Sequence, residues 1–205
     1  MKIVYFLLAI IVFAYGCGSD SNTARSSSNG EIKKGVAPVA DNEVAVIEME
    51  NASAYGTIKI ELYSNIAPKA VAQFKALAKE GVYDGVTFHR VNQSVIQSGD
   101  PLSKDGDPMN DGTGKSSKPN VPAEFSDILY DTGIVGAARS QDINSANSQF
   151  FITLKREQAF DQKYTIFGKV IEGLNNVRTI SGVQPREGER PVEPIRIKTI
   201  RIEPK

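Results

Sequence analysis

The chain has no tryptophan, one cysteine and one histidine among its 205 residues. A single cysteine excludes an internal disulfide, and one histidine beside it leaves too few of the usual ligands for a zinc or haem site. Only a site made of carboxylates and carbonyls stays open, and no cofactor is expected. Excess charge of either sign is missing as well. Lysine plus arginine and aspartate plus glutamate stand at 24 each, so nothing draws the chain electrostatically to nucleic acid. No internal repeat is visible, which argues against a repetitive structural or adhesive protein. A long apolar run occurs in one place, Ile3 to Ala14, and it is too short to span a bilayer comfortably.

That run follows Met1-Lys2 and ends in Ala14-Tyr15-Gly16-Cys17. A short charged start, an apolar core and small residues before a cysteine resemble the bacterial lipoprotein signal, although Ala14 stands where leucine is commonest. The resemblance implies removal of residues 1–16 and acylation of Cys17; the alternative is an ordinary secretory signal with an incidental cysteine. Gly18 to Ala40 is rich in Ser, Asn and Gly, so residues 17–40 are expected to be a lipidated cysteine and flexible tether. Residues 41–205 then form the domain, held at a membrane through Cys17 in the cell envelope. Gly18, in place of an inner-membrane retention aspartate, points to the outer membrane facing the periplasm if the envelope has two membranes.

A domain of about 160 residues buries roughly 70% of the surface its unfolded chain exposes, enough to fold without staples. Glu43–Glu50 and Tyr55–Leu62 alternate apolar and polar residues as half-buried strands, with Asn51-Ala52-Ser53 as a hairpin turn between them. Pro68 opens a helix that runs through Lys79; Val71, Phe74, Leu77 and Ala78 share one face, and Gly81 stops it. Further short strands are predicted at Val86–Val91, Val95–Gln97, Gly133–Ala138, Gln149–Leu154 and Tyr164–Val170, with a second helix over Gly173–Ile180. In Ile195–Ile202 the alternation slips near Thr199, which predicts a bulge. These elements suggest a mainly β fold: a closed antiparallel barrel of about eight strands capped by two α-helices. Leu102–Pro119 is a long polar loop, a length usually reserved for function or mobility.

Three segments carry chemistry. They are Phe88-His89-Arg90 with Gln97-Ser98-Gly99-Asp100-Pro101; Ala137-Ala138-Arg139-Ser140 with Ser148-Gln149-Phe150-Phe151-Ile152; and Asp161 with Lys163-Tyr164-Thr165-Ile166-Phe167-Gly168. In this order, over residues 43 to 203, they resemble the cyclophilin-type peptidyl-prolyl cis-trans isomerases. The resemblance implies that Arg90 donates to the proline nitrogen of a twisted Xaa-Pro bond. It implies too that Gln97 holds the substrate carbonyl and orients the arginine. Phe151 would floor a proline pocket, with Tyr164 and either Val95 or Phe150 as walls, and the backbone at Ser140 would pair with extended substrate. Proline-containing polypeptides are the expected partners, and a monomer is expected. His89, by alternation, faces away from Arg90 and reads as structural.

The sequence departs from the family pattern at three places. The Arg90–Gln97 segment is one residue short, with Ser94 or the deletion in place of a pocket phenylalanine, so a shallower pocket is expected. Ala159 aligns with a tryptophan of strongly cyclosporin-binding members, so weak cyclosporin binding follows. The loop after Pro101 is longer than usual; its Asp105, Asp107, Asn110 and Asp111 read as turn residues rather than a calcium site. A damaged pocket leaves one rival reading, a non-catalytic binder or chaperone for proline-bearing segments.

Overall fold

The last part of the expected tether is bound to the domain. The computed structural model describes residues 30–184 and 187–205, so the expected leader and Cys17 lie outside the described residues. From Gly30 on, Ile32–Lys33 (β1) pairs in parallel with Phe125–Ser126 (β6). Asn65 ties the segment further, accepting from the Val39 amide at 3.0 Å and donating to the Ala37 carbonyl at 2.9 Å. The Lys33 ammonium reaches the Ile66 carbonyl at 2.7 Å. Residues 30–40 therefore do not behave as the free linker that their composition suggests, because the domain satisfies their backbone groups.

Eight strands make the main sheet: Glu43–Met49 (β2), Thr57–Leu62 (β3), Arg90–Val91 (β4), Val95–Ser98 (β5), Ile134–Ala137 (β7), Phe150–Thr153 (β8), Ile166–Glu172 (β9) and Ile197–Pro204 (β10). Their order is β10-β2-β3-β9-β7-β8-β5-β4, with every neighbouring pair antiparallel. The expected bulge is present where the register of β10 shifts between Ile197 and Thr199. The sheet is open, which corrects the closed barrel. Its outer strands β10 and β4 do not pair. The gap is spanned by the chain ahead of β4: Gly85 N–H bonds Ile197 O at 2.8 Å and Phe88 N–H bonds Ile195 O at 2.9 Å, around a single Thr87–Arg196 bridge. The predicted strand Val86–Val91 is thus ladder-paired only at Arg90–Val91. Six residues that alternate in sequence need not all find a partner strand.

Among the described residues three α-helices, not two, accompany the sheet. Asn51-Ala52-Ser53 does not form a plain turn: Ala52–Tyr55 (α1) is a single helical turn capped by the Asn51 side chain, which accepts from Ala54 N. Pro68–Lys79 (α2) starts on the expected proline, and Gly81 beyond its end takes φ +69. Its Val71, Phe74, Leu77 and Ala78 are buried against one side of the sheet with Ile47, Ile58, Ile60 and Phe150. Leu174–Ser181 (α3) buries Val177 and Ile180 into the same cluster. A second, smaller cluster joins Tyr63, Ile66, Val95, Tyr130, Ile134, Phe151 and Ile166. It supports the site.

Candidate active site

Strand register assembles the site. Arg90 on β4 faces Gln97 on β5, Gln97 faces Phe151 on β8, Phe151 faces Gly136 on β7, and Gly136 faces Ile166 on β9. Residues directly opposite on neighbouring strands share a face, so the five form one row across the sheet. Two strand spacings separate Arg90 from Phe151, about 10 Å at the backbone. Val95 lies two residues from Gln97 and so returns to the same face. Arg90, Gln97, Val95, Phe151 and Tyr164 line a groove of about 300 Å³, together with Ala138, Arg139 and Phe160.

The floor is an aromatic stack. Phe151 lies over Tyr130 with ring centroids 5.7 Å apart and planes at 26°. Phe160 and Tyr164 stand edge-on to Phe151 at 5.5 and 5.6 Å. The Arg139 guanidinium sits 4.6 Å above the Tyr164 ring and donates to the Lys163 carbonyl, which pins that wall. Gly136 makes the floor possible: a Cβ there would meet Phe151 Cζ at 2.4 Å and the Tyr130 hydroxyl at 2.6 Å. Phe160 escaped the sequence reading, which dwelt on Ala159, an exposed neighbour.

Phe150 does not belong to this groove. Adjacent residues of a strand point to opposite faces, so Phe150 packs among Phe74 and Tyr83 beneath α2. Val95, the other candidate wall, is the one in place. Ser140 lines a neighbouring groove of about 390 Å³ that shares Gln97, Ala138 and Arg139 with the first. Its backbone is already engaged: the amide donates to Ser145 Oγ at 2.9 Å and the carbonyl accepts from Arg139 at 2.8 Å. Gln97 is committed too. Its amide donates to Gln149 Oε1 at 2.9 Å, and Gln149 in turn donates to the carbonyls of Gly112 and Gly114.

The partner of Arg90 is Glu189, a residue the sequence reading did not single out. Arg90 Nε donates to Glu189 Oε2 at 2.5 Å. The hydrogen bond from Arg90 holds the Glu189 carboxyl below its ordinary pKa, with Asn92 adding to it. Asn92 donates to Glu189 Oε1 at 2.9 Å while its own Oδ1 accepts from the amides of Ser94 and Val95. The shortened β4–β5 connection is therefore an Asx-type turn that also braces Glu189. His89 is buried, but it is not the hydrogen-bonded residue turned away from Arg90 that alternation suggests. Neither ring nitrogen has a side-chain hydrogen-bond partner among the described residues, and it lines the Arg90 groove. Burial pushes its pKa down against the pull of Asp100 and Asp111.

The enlarged loop is built on side-chain caps. Asp100 is fully buried and accepts from the amides of Leu102, Gly112 and Gly114. Asp105 and Asp107 accept from the amides of Asp107 and Met109. Among the described residues no three His, Cys, Asp or Glu side chains gather as a metal site.

Arg90, Gln97 and Phe151 thus stand in one cross-strand row along a groove whose wall is aromatic on the Phe151, Phe160 and Tyr164 side and charged or polar elsewhere. Comparison with known proteins gives the class. The family "Cyclophilin type peptidyl-prolyl cis-trans isomerase/CLD" matches residues 46–202, and the chain belongs to that family. A probable peptidyl-prolyl cis-trans isomerase of Brucella suis is 45% identical over 130 residues, covering 61% of this chain and 66% of that one. Peptidyl-prolyl cis-trans isomerase ppi1 of Schizosaccharomyces pombe is 38% identical over 161 residues, 75% of this chain and 96% of that one. Among solved structures, a cyclophilin-type isomerase of Cryptosporidium parvum, crystallised in the presence of the dipeptide Ala-Pro, superposes with TM-score 0.70. It is 30% identical over 79% of this chain and 99% of its own.

Proposed function

We propose that this chain is a peptidyl-prolyl cis-trans isomerase whose turnover depends on Arg90, acting on Xaa-Pro bonds of exported or envelope proteins. The observation that carries the reading is the cross-strand row Arg90, Gln97, Phe151. Rotation about a peptide bond crosses about 18–20 kcal/mol because resonance is lost at the top. In the twisted state the proline nitrogen regains its lone pair and accepts a hydrogen bond that neither planar form accepts as well. A guanidinium held over the ring pocket favours that state, and such a charge-assisted bond contributes about 1.5–3 kcal/mol. Phe151, Val95, Phe160 and Tyr164 grip the ring while the flanking peptide turns. No proton moves and no covalent intermediate forms.

Gln97 is assigned to the substrate carbonyl, and Ser140 to the extended segment beside the ring. The engagement of Ser140 with Ser145 and Arg139 means its backbone bonds to substrate would form by exchange. Exchange spectroscopy on a short Ala-Pro peptide tests the reading: substoichiometric protein should bring cis and trans signals into exchange. Saturable binding without exchange would replace the enzyme by the binder reading. Envelope anchoring through Cys17 rests on the leader sequence. Mass spectrometry of the mature N-terminus checks it, with an acylated Cys17 expected and an unmodified cysteine refuting it. Weak cyclosporin affinity follows from Ala159 and the lack of tryptophan.

A further inference from the structure

We infer that Glu189 is a positioning residue for Arg90, set on a strained turn so that the guanidinium presents its terminal amino groups to the groove. The inference rests on the isomerase reading above and assigns the orienting role that Gln97 was expected to fill. Gln97 is turned toward Gln149 and the enlarged loop, which leaves the arginine to another partner. Glu189 takes only the Nε–H. A guanidinium has five N–H donors in a rigid fork, so a grip on Nε fixes its plane and leaves the outer edge for substrate.

Three further features mark the contact as built. Glu189 stands at φ +63, a left-handed conformation that a residue with a Cβ rarely adopts, next to Gly188 at φ +77. Such strain persists where surrounding contacts hold it, and it gathers at functional sites. The turn is held on both sides, since Asn92 grips the other oxygen of Glu189 and Arg190 pairs with Asp111 at 2.9 Å. Finally, the Arg90 and Glu189 side chains are 46% and 43% exposed. An ion pair so exposed adds little to stability, so its geometric effect on Arg90 is the larger consequence.

The test uses the full chain with Glu189→Gly, Glu189→Gln, Arg90→Ala and the double variant Arg90→Ala/Glu189→Gly. Glycine accepts φ +63 freely, so a purely structural Glu189 would leave Glu189→Gly at least as stable and as active as the wild type. We expect instead an unfolding midpoint unchanged or raised, with turnover reduced about tenfold and KM little changed. Glu189→Gln, which keeps the acceptor oxygen and loses the charge, should fall between. In the Arg90→Ala background, Glu189→Gly should cost nothing further. Unchanged or increased turnover in Glu189→Gly, or an undiminished loss in the double variant, would overturn the inference while leaving the isomerase reading intact. A folded wild type without isomerase activity would remove both.

Discussion

Replacing Gly136 by alanine should damage stability and site together, and the structure sets the scale. The new methyl would lie 2.4 Å from Phe151 Cζ, 2.9 Å from its Cε1 and 2.6 Å from the Tyr130 hydroxyl. Neither ring can yield cheaply. Tyr130 is fully buried, and Phe151 is 4% exposed and stacked between Tyr130, Phe160 and Tyr164. One extra methyl in a packed core costs about 1–3 kcal/mol. Against this, alanine gains back about 0.5–1 kcal/mol of strand entropy over glycine, so the upper half of the range leaves a clear net loss. For a domain of this size each kcal/mol moves the midpoint by about 2–4 °C, giving a drop of several degrees. Since Tyr130 blocks the way down, Phe151 has to rise into the groove, and KM for an Xaa-Pro peptide should increase. Calorimetry and peptide titration read the two effects. A variant as stable as the wild type with unchanged KM would refute the packing argument.

The Tyr130 hydroxyl is buried with no hydrogen-bond partner among the described residues; Tyr130→Phe should therefore be neutral or stabilising by up to about 1–2 kcal/mol in denaturant unfolding, and a loss would show that the hydroxyl has a partner. Asp161 accepts from the Tyr130 amide at 2.9 Å and pairs with Arg156. Burial raises its carboxyl pKa, but the Arg156 and Tyr130 hydrogen bonds outweigh that and leave it depressed. Its contribution is accordingly complete above the ordinary aspartate value and fades as pH falls through the depressed one. Asp161→Asn, which keeps an acceptor for Tyr130, should cost less than Asp161→Ala at pH 7, and the gap between wild type and Asp161→Asn should close in acid; urea midpoints across pH check both.

Helix α2 was legible because proline, glycine and a three-to-four apolar spacing mark it locally, and the β10 bulge because alternation breaks at Thr199. The open seam was not legible. Whether β4 pairs with β10 depends on the path of two segments about a hundred residues apart, and nothing local in Val86–Val91 encodes it. Asn51 looked like a turn residue and is a helix cap; both roles use the same side-chain acceptor. For the site, Arg90, Gln97 and Phe151 fell into one row, but their partners did not follow from the motifs. Phe150 was separable in principle, since a strand cannot turn two consecutive side chains to one face. Glu189 sits in a polar stretch, Glu187-Gly188-Glu189-Arg190, whose only local signal is a glycine between acidic residues.

The most direct test of the account is the cis-to-trans rate of a short Xaa-Pro peptide with the full chain, its Arg90→Ala variant and its Arg90→Lys variant. Acceleration by the wild type, reduced about ten- to a hundredfold in Arg90→Ala and poorly restored by a lysine that lacks the planar fork, is the expected result. Equal acceleration by wild type and Arg90→Ala, both folded, would contradict the central claim that the guanidinium at Arg90 stabilises the twisted bond.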